Sequence, residues 1–188
     1  SRNMKAILFT LITIFYFSSS MAQQYETQQF EVIKTIGEAE IRFYPPVMKI
    51  KANRSNGFGA LFGYISGKNT EGQKIAMTTP VYMQEEEGKK VMEFVLPREL
   101  DNQSTPAAIS ENVEVYESNP GYFISYPFGG YAVDWVAKRA IKALKEIIKT
   151  NNLVVEGDAI ILVYNSPYKV INRKNEILFK ITGDARLN

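Results

Sequence analysis

The chain has 188 residues, of which 45% are hydrophobic and 22% charged, with a formal net charge of +2. That suits one globular domain with enough chain for a real core, and it lacks the large basic surplus of a nucleic-acid binder. It has no cysteine and no histidine, which excludes disulfides, thiolate nucleophiles, Ser-His-Asp triads and any His- or Cys-ligated metal or haem iron.

Residues 1–22 read as a secretory signal peptide. Lys5 supplies the basic start, Ala6 to Phe17 the apolar run, and Ser20 and Ala22 the small residues of a cleavage site after Ala22. The run is shorter than the roughly 20 apolar residues of a bilayer span. Residues 1–22 hold Arg2 and Lys5 and no acid, so cleavage leaves 20 basic against 20 acidic residues. The expectation is a periplasmic or secreted protein with no stable membrane insertion after cleavage, no nucleic-acid partner, and protein partners that the sequence does not name.

Residues 23–29 are a polar lead-in. Strand patterns follow at Phe30 to Ile36, Ala39 to Tyr44 and Val47 to Ala52, with Pro45-Pro46 as punctuation. A helix is expected over Phe58 to Ser66, capped by Ser55 or Asn56 and ended by a left-handed Gly67. Strands are expected at Lys74 to Gln84 and Val91 to Leu96, then a polar linker from Asp101 to Asn112. The pattern restarts with strands at Val113 to Glu117 and Tyr122 to Pro127. A long helix from Tyr131 to Asn151 comes next, its stripe running from Val133 to Ile148. Strands at Ala159 to Asn165 and Glu176 to Thr182 complete the chain. Each half reads strand pair, helix, strand pair. The fold class expected is α+β, a distorted and mainly antiparallel β-barrel made from a duplicated ββαββ unit and flanked by two α-helices, in a single domain over 23–188.

In the short helix Phe58, Leu61, Phe62 and Ile65 fall at i, +3, +4 and +7, an apolar face beside the strip of Gly59 and Gly63. Each glycine costs a helix about 1 kcal/mol relative to alanine, so two in so short an element imply close approach to its backbone by the protein's own sheet or by a flat ligand. The following Gly67-Lys68-Asn69-Thr70-Glu71-Gly72 lacks the phosphate-loop spacing and follows a helix instead of opening one. Thr78-Thr79 have no base nearby in sequence and suit a strand. Glu40, Glu93, Glu114 and Glu176 lie on or beside strands, where a converging pair would support acid–base chemistry, although no spacing brings two together.

The segment from Gly57 to Val81, with its FGYISG and KIAMT-PV core, resembles the signature of the SOUL haem-binding proteins. So do Ile41-Arg42-Phe43-Tyr44-Pro45, Phe128-Gly129-Gly130-Tyr131-Ala132, Tyr164-Asn165-Ser166-Pro167 and Arg173-Lys174-Asn175-Glu176, in the same order over about residues 30–181. The resemblance implies the duplicated barrel and noncatalytic binding of haem or a related tetrapyrrole in a shallow apolar groove, as a carrier or buffer. It places Phe58, Leu61 and Phe62 on the groove helix, to which periodicity adds Ile65, with the segment from Tyr164 to Tyr168 approaching from the other side. Arg54, Lys68 and Lys74 flank the helix and could meet the propionates. With no histidine, iron ligation falls to Tyr, Met or solvent, or is absent. The alternatives are another flat amphipathic ligand on the same scaffold and a carboxylate-based enzyme.

Overall fold

The computed structural model describes residues 25–53, 57–166 and 168–182. Residues 1–22 and Arg54, Ser55 and Asn56 lie outside that set, and with them the expected leader, the helix cap and one expected cation.

Nine strands form one antiparallel sheet. In chain order the strands are β2 (Glu31–Ile36), β3 (Ala39–Tyr44), β4 (Met48–Asn53), β6 (Val81–Glu86), β7 (Lys89–Val95), β8 (Glu114–Glu117), β9 (Gly121–Phe128), β10 (Val155–Val163) and β11 (Asn175–Ile181). A two-residue β1 (Glu26–Thr27) pairs in parallel with β5 (Thr78–Thr79) as a separate ribbon. The helices are α1 (Gly57–Ile65) and α2 (Asp134–Thr150). The sheet order is β2-β3-β9-β11-β10-β6-β7-β4-β8, open at both ends.

That order carries the duplication. The two halves meet where β10 pairs with β6, at Leu162 opposite Tyr82. Moving outward, β11, β9 and β3 on one side answer β7, β4 and β8 on the other. The first strand of each ββαββ unit has crossed over: β3 pairs with β9 of the second unit, and β8 pairs with β4 of the first. Exchange of these strands ties the halves into one sheet and covers what would otherwise be two further exposed edges.

Local chemistry explains the ends of the elements. The β6–β7 hairpin turns on Glu87 and Gly88, both with positive φ, the conformation that a two-residue hairpin turn needs. Gly67, at φ +109, ends α1 in the left-handed region, and the Lys68 amide donates back to the Gly63 carbonyl at 3.0 Å. In α2, Asp134 sits in the first turn and Lys149 in the last, the signs that the helix dipole favours. Its end is closed by Asn152 at φ +53 and by the Leu153 amide on the Ile148 carbonyl. The strand expected over Lys74 to Gln84 is broken at Pro80, which has no amide to give a ladder, so only Val81 onward joins the main sheet.

Side chains alternate strictly between two faces of this sheet. One face meets the helices. α1 packs on Met48, Ile50, Ala52, Phe94 and Leu96, and α2 on Ile41, Ile124, Ile177 and Phe179. The other face carries a third cluster, with Tyr44, Tyr82, Val95, Leu162 and Leu178 at its centre.

Candidate functional site

α1 divides its apolar residues. Leu61, Tyr64 and Ile65 are buried against β4 and β7, and the Tyr64 hydroxyl donates to the Pro106 carbonyl at 2.6 Å. Phe58 and Phe62 sit at the edge of that stripe with 52% and 51% of their surface exposed. Their rings lie 5.8 Å apart and are inclined by only 9°. Phe58 is anchored underneath by Phe94, edge to face at 5.7 Å. Two near-parallel, stacked rings on solvent form an apolar step that the core does not use.

The glycine strip lies beside that step. Gly59 and Gly63 follow the two phenylalanines by one residue each, about 100° further round the helix. They line a depression of about 320 Å³ with Ala60, Tyr64, Lys68 and Val113. A Cβ on Gly63 would come within 3.3 Å of Lys68 Cδ, so a side chain there would crowd the one cation on this floor. The loop carrying Lys68 is held by Asn69, whose side chain donates to the carbonyls of Tyr64 and Gln73 and accepts from two loop amides.

The sheet places the other expected site residues elsewhere. Tyr164 follows β10 on the face away from the helices, packs with the third cluster, and donates its hydroxyl to Glu176 at 2.6 Å. Tyr168 is 91% exposed on the β10–β11 loop. Leu61 and Ile65 are core residues, so the α1 surface available to a ligand is that of Phe58, Phe62 and the glycine strip. Lys74 lies in the irregular segment before β5.

The face away from the helices holds two buried ion pairs. The Arg42 guanidinium donates twice to Glu176, at 2.8 and 3.0 Å, and also to Glu40 at 2.7 Å. It lies over the Phe30 ring at 4.0 Å. Burial pushes the Glu176 carboxyl upward, but hydrogen bonds from Arg42 and Tyr164 and the charge of Arg42 outweigh it, and the net shift is downward. Burial pushes the Tyr44 phenol up to about 12.

Lys49 and Glu93 form the second pair, at 3.0 Å, and the Lys49 ammonium rests on the Tyr82 ring at 3.4 Å. Gln84 and Tyr116 each donate to Glu93 at 2.8 Å. Burial lowers the Lys49 pKa even against the charge of Glu93. These groups floor a cleft of about 600 Å³ whose rim includes Glu85, Asp158 and the Glu156–Lys180 pair. The four carboxylates noted in the sequence each face a cation: Glu40 and Glu176 share Arg42, Glu93 meets Lys49, and Glu114 meets Lys51. Sequence reasoning passed over Lys49 because alternation in Met48-Lys49-Ile50-Lys51-Ala52 reads as a half-buried strand with solvated lysines. The signal available was Glu93, a lone charge in the apolar run from Val91 to Leu96.

Among known proteins, the family described as SOUL heme-binding protein matches residues 25–180. The chain belongs to that family. Heme-binding protein 2 of Homo sapiens is 25% identical over 158 residues, covering 75% of this chain and 77% of that protein. Two solved structures show the same fold at low identity. The EcmrR C-terminal domain superposes with a TM-score of 0.55 at 11% identity, covering 78% of this chain and 98% of that one. A hydrolase from Listeria innocua gives 0.56 at 9%, covering 77% and 92%.

Proposed function

We propose that this SOUL-family protein binds haem or a related tetrapyrrole noncatalytically on the exposed face of α1, as a carrier or buffer. The observation that carries the reading is the Phe58–Phe62 pair, half exposed and stacked with near-parallel rings beside a glycine-floored depression. A macrocycle needs apolar, aromatic surface to pack on, and the exposed ring surfaces offer it without rearrangement of the core. Lys68 at the depression suits a propionate, and Arg54 is its proposed companion. The absence of histidine and cysteine leaves Tyr, Met or solvent to ligate iron, or no axial ligand at all, which suits exchangeable binding. Family membership and the relation to Heme-binding protein 2 support the ligand class. We further propose that residues 1–22 direct export to the periplasm or beyond, with cleavage after Ala22.

Titration of residues 23–188 with hemin tests the reading. The expected result is a saturable one-to-one change in the Soret band, weakened by Phe58→Ala and by Phe62→Ala. A linear change indifferent to both substitutions would remove haem as the ligand.

A second reading has its own observation. The cleft over Tyr82 already holds an ammonium, that of Lys49, against an aromatic face and a buried carboxylate. Another amphipathic small molecule, with a basic group for the acidic rim, could enter there.

A further inference from the structure

One end of the molecule exposes apolar side chains that neither reading uses. Tyr131 and Val133 lead into α2, Trp135 lies in its first turn, and Tyr168, Val170 and Ile171 occupy the β10–β11 loop. All six are exposed, Ile171 at 74%. The two segments are tied together. The Arg173 guanidinium lies over the Tyr131 ring at 4.3 Å and donates to the carbonyls of Ser166 and Lys169 at 2.7 and 2.6 Å. Asn175 donates to the Gly130 carbonyl at 2.8 Å. The loop is therefore built and held against the start of α2.

Charge around this tip is mostly of one sign. Lys138, Arg139, Lys142 and Lys169 are exposed in and beside these segments, Lys174 is half exposed and paired with Glu176 at 3.4 Å, and Asp134 is the only acid in residues 129–142 and 164–175. The net balance after residue 22 is zero, so this surplus is local and not a property of the whole chain. Arg139 lies 5.4 Å from the Trp135 ring, an aromatic–cation pair of the kind that suits a headgroup layer.

We propose that this end docks reversibly on an anionic lipid surface. Val170 and Ile171 enter beneath the headgroups, Trp135, Tyr131 and Tyr168 sit at the headgroup level, and the cations meet lipid phosphates. The arrangement favours lipid over other occupants. A nucleic acid would use the cations but has no place for a projecting Val-Ile pair. A protein groove would have to receive a tip whose rim is predominantly basic. Exposed aliphatic residues beside aromatics, with Lys and Arg in the same segments, are what a lipid interface accommodates. The docking is peripheral, and the tetrapyrrole reading does not depend on it.

The test uses residues 23–188, which hold every described strand and helix, so that the apolar run of residues 6–17 cannot itself partition. The protein is mixed with vesicles of phosphatidylcholine, alone or with an equal part of phosphatidylglycerol, and with heparin as a lipid-free polyanion. Trp135, the only tryptophan, reports directly. The expected result is cosedimentation with the anionic vesicles and a blue shift of Trp135, both weakened by salt. Val170→Asp with Ile171→Asp should reduce vesicle affinity about tenfold or more, and Lys138→Glu with Arg139→Glu should also lower it. The replaced side chains are exposed, so near-UV circular dichroism should be unchanged. No cosedimentation would overturn the proposal. So would equal binding to neutral vesicles, or binding that survives the Val170 and Ile171 changes and is matched by heparin without a blue shift.

Discussion

Glu93 and Glu176 occupy equivalent places in the two halves of the sheet. Glu93 lies opposite Tyr82 and Glu176 opposite Leu162, the two residues that face each other where the halves meet. Both are buried and each accepts from one tyrosine hydroxyl; Glu93 meets Lys49, and Glu176 meets Arg42 and, at 3.4 Å, the half-exposed Lys174. Removal of Glu93 leaves Lys49 without its carboxylate in a poorly solvated place, whereas Arg42 keeps Glu40 when Glu176 is removed. Glu93→Gln should cost about 3 to 5 kcal/mol in urea denaturation and Glu176→Gln less, about 1 to 3 kcal/mol. A loss below about 1 kcal/mol would mean that water reaches these pairs.

Acid should act through Glu176. Its folded-state pKa lies below the ordinary value of 4.5, so the unfolded chain takes up a proton first as pH falls. Its stabilising contribution is complete above 4.5 and disappears as pH drops through the lower folded value. Unfolding free energies measured from pH 6 downward should fall in that window, and Glu176→Gln should flatten the slope. An unchanged slope in the variant would place the acid sensitivity elsewhere.

Alkali should act through buried phenols. Burial raises Tyr44 and Tyr64 from 10.0 to about 12. Between those values the unfolded chain loses protons that the folded chain keeps, so stability falls as pH rises above 10. Lys49 works in the opposite sense below 10.5, because its folded value is lowered. Tyrosinate absorbance from Tyr44 and Tyr64 should therefore appear only with unfolding, as a separate late stage. A single stage near 10 would contradict the burial.

α1 should separate stability from binding. Leu61→Ala removes a fully buried side chain and should cost about 2 to 5 kcal/mol. Phe62→Ala removes a half-exposed ring stacked on its neighbour and should cost no more than about 1 kcal/mol. Hemin affinity should respond in the reverse order, strongly to Phe62→Ala. If Phe62→Ala destabilised as much as Leu61→Ala, the ring would belong to the core.

The sequence made parts of this legible for physical reasons. The stripe of α2 is long enough to fix its period, and the order of strand pair, helix and strand pair appears twice. The crossing of β3 and β8 was not readable, because either strand could pair within its own half with the same local pattern. The positions +3, +4 and +7 drew Leu61, Phe62 and Ile65 into one face with Phe58, but periodicity does not say how wide a stripe the sheet can bury. Here Phe94 and Ile50 take Leu61 and Ile65 and leave the two rings outside. Tyr164 shows how parity governs strands: a shift of one residue changes the face, and β10 carries an irregularity between Glu156 and Ile160. The pairs Arg42–Glu176 and Lys49–Glu93 join residues 134 and 44 apart in sequence, beyond any local signal.

The measurement that bears most directly on the central claim is the backbone amide spectrum of the isotope-labelled protein, residues 23–188, titrated with a diamagnetic gallium protoporphyrin. Binding on α1 predicts saturable shifts at Gly59, Phe62, Gly63 and Lys68, with the amides around Tyr44, Tyr82 and Tyr116 unmoved. Shifts confined to those three tyrosines, with α1 silent, would contradict the account and give the site to the cleft over Lys49 and Glu93.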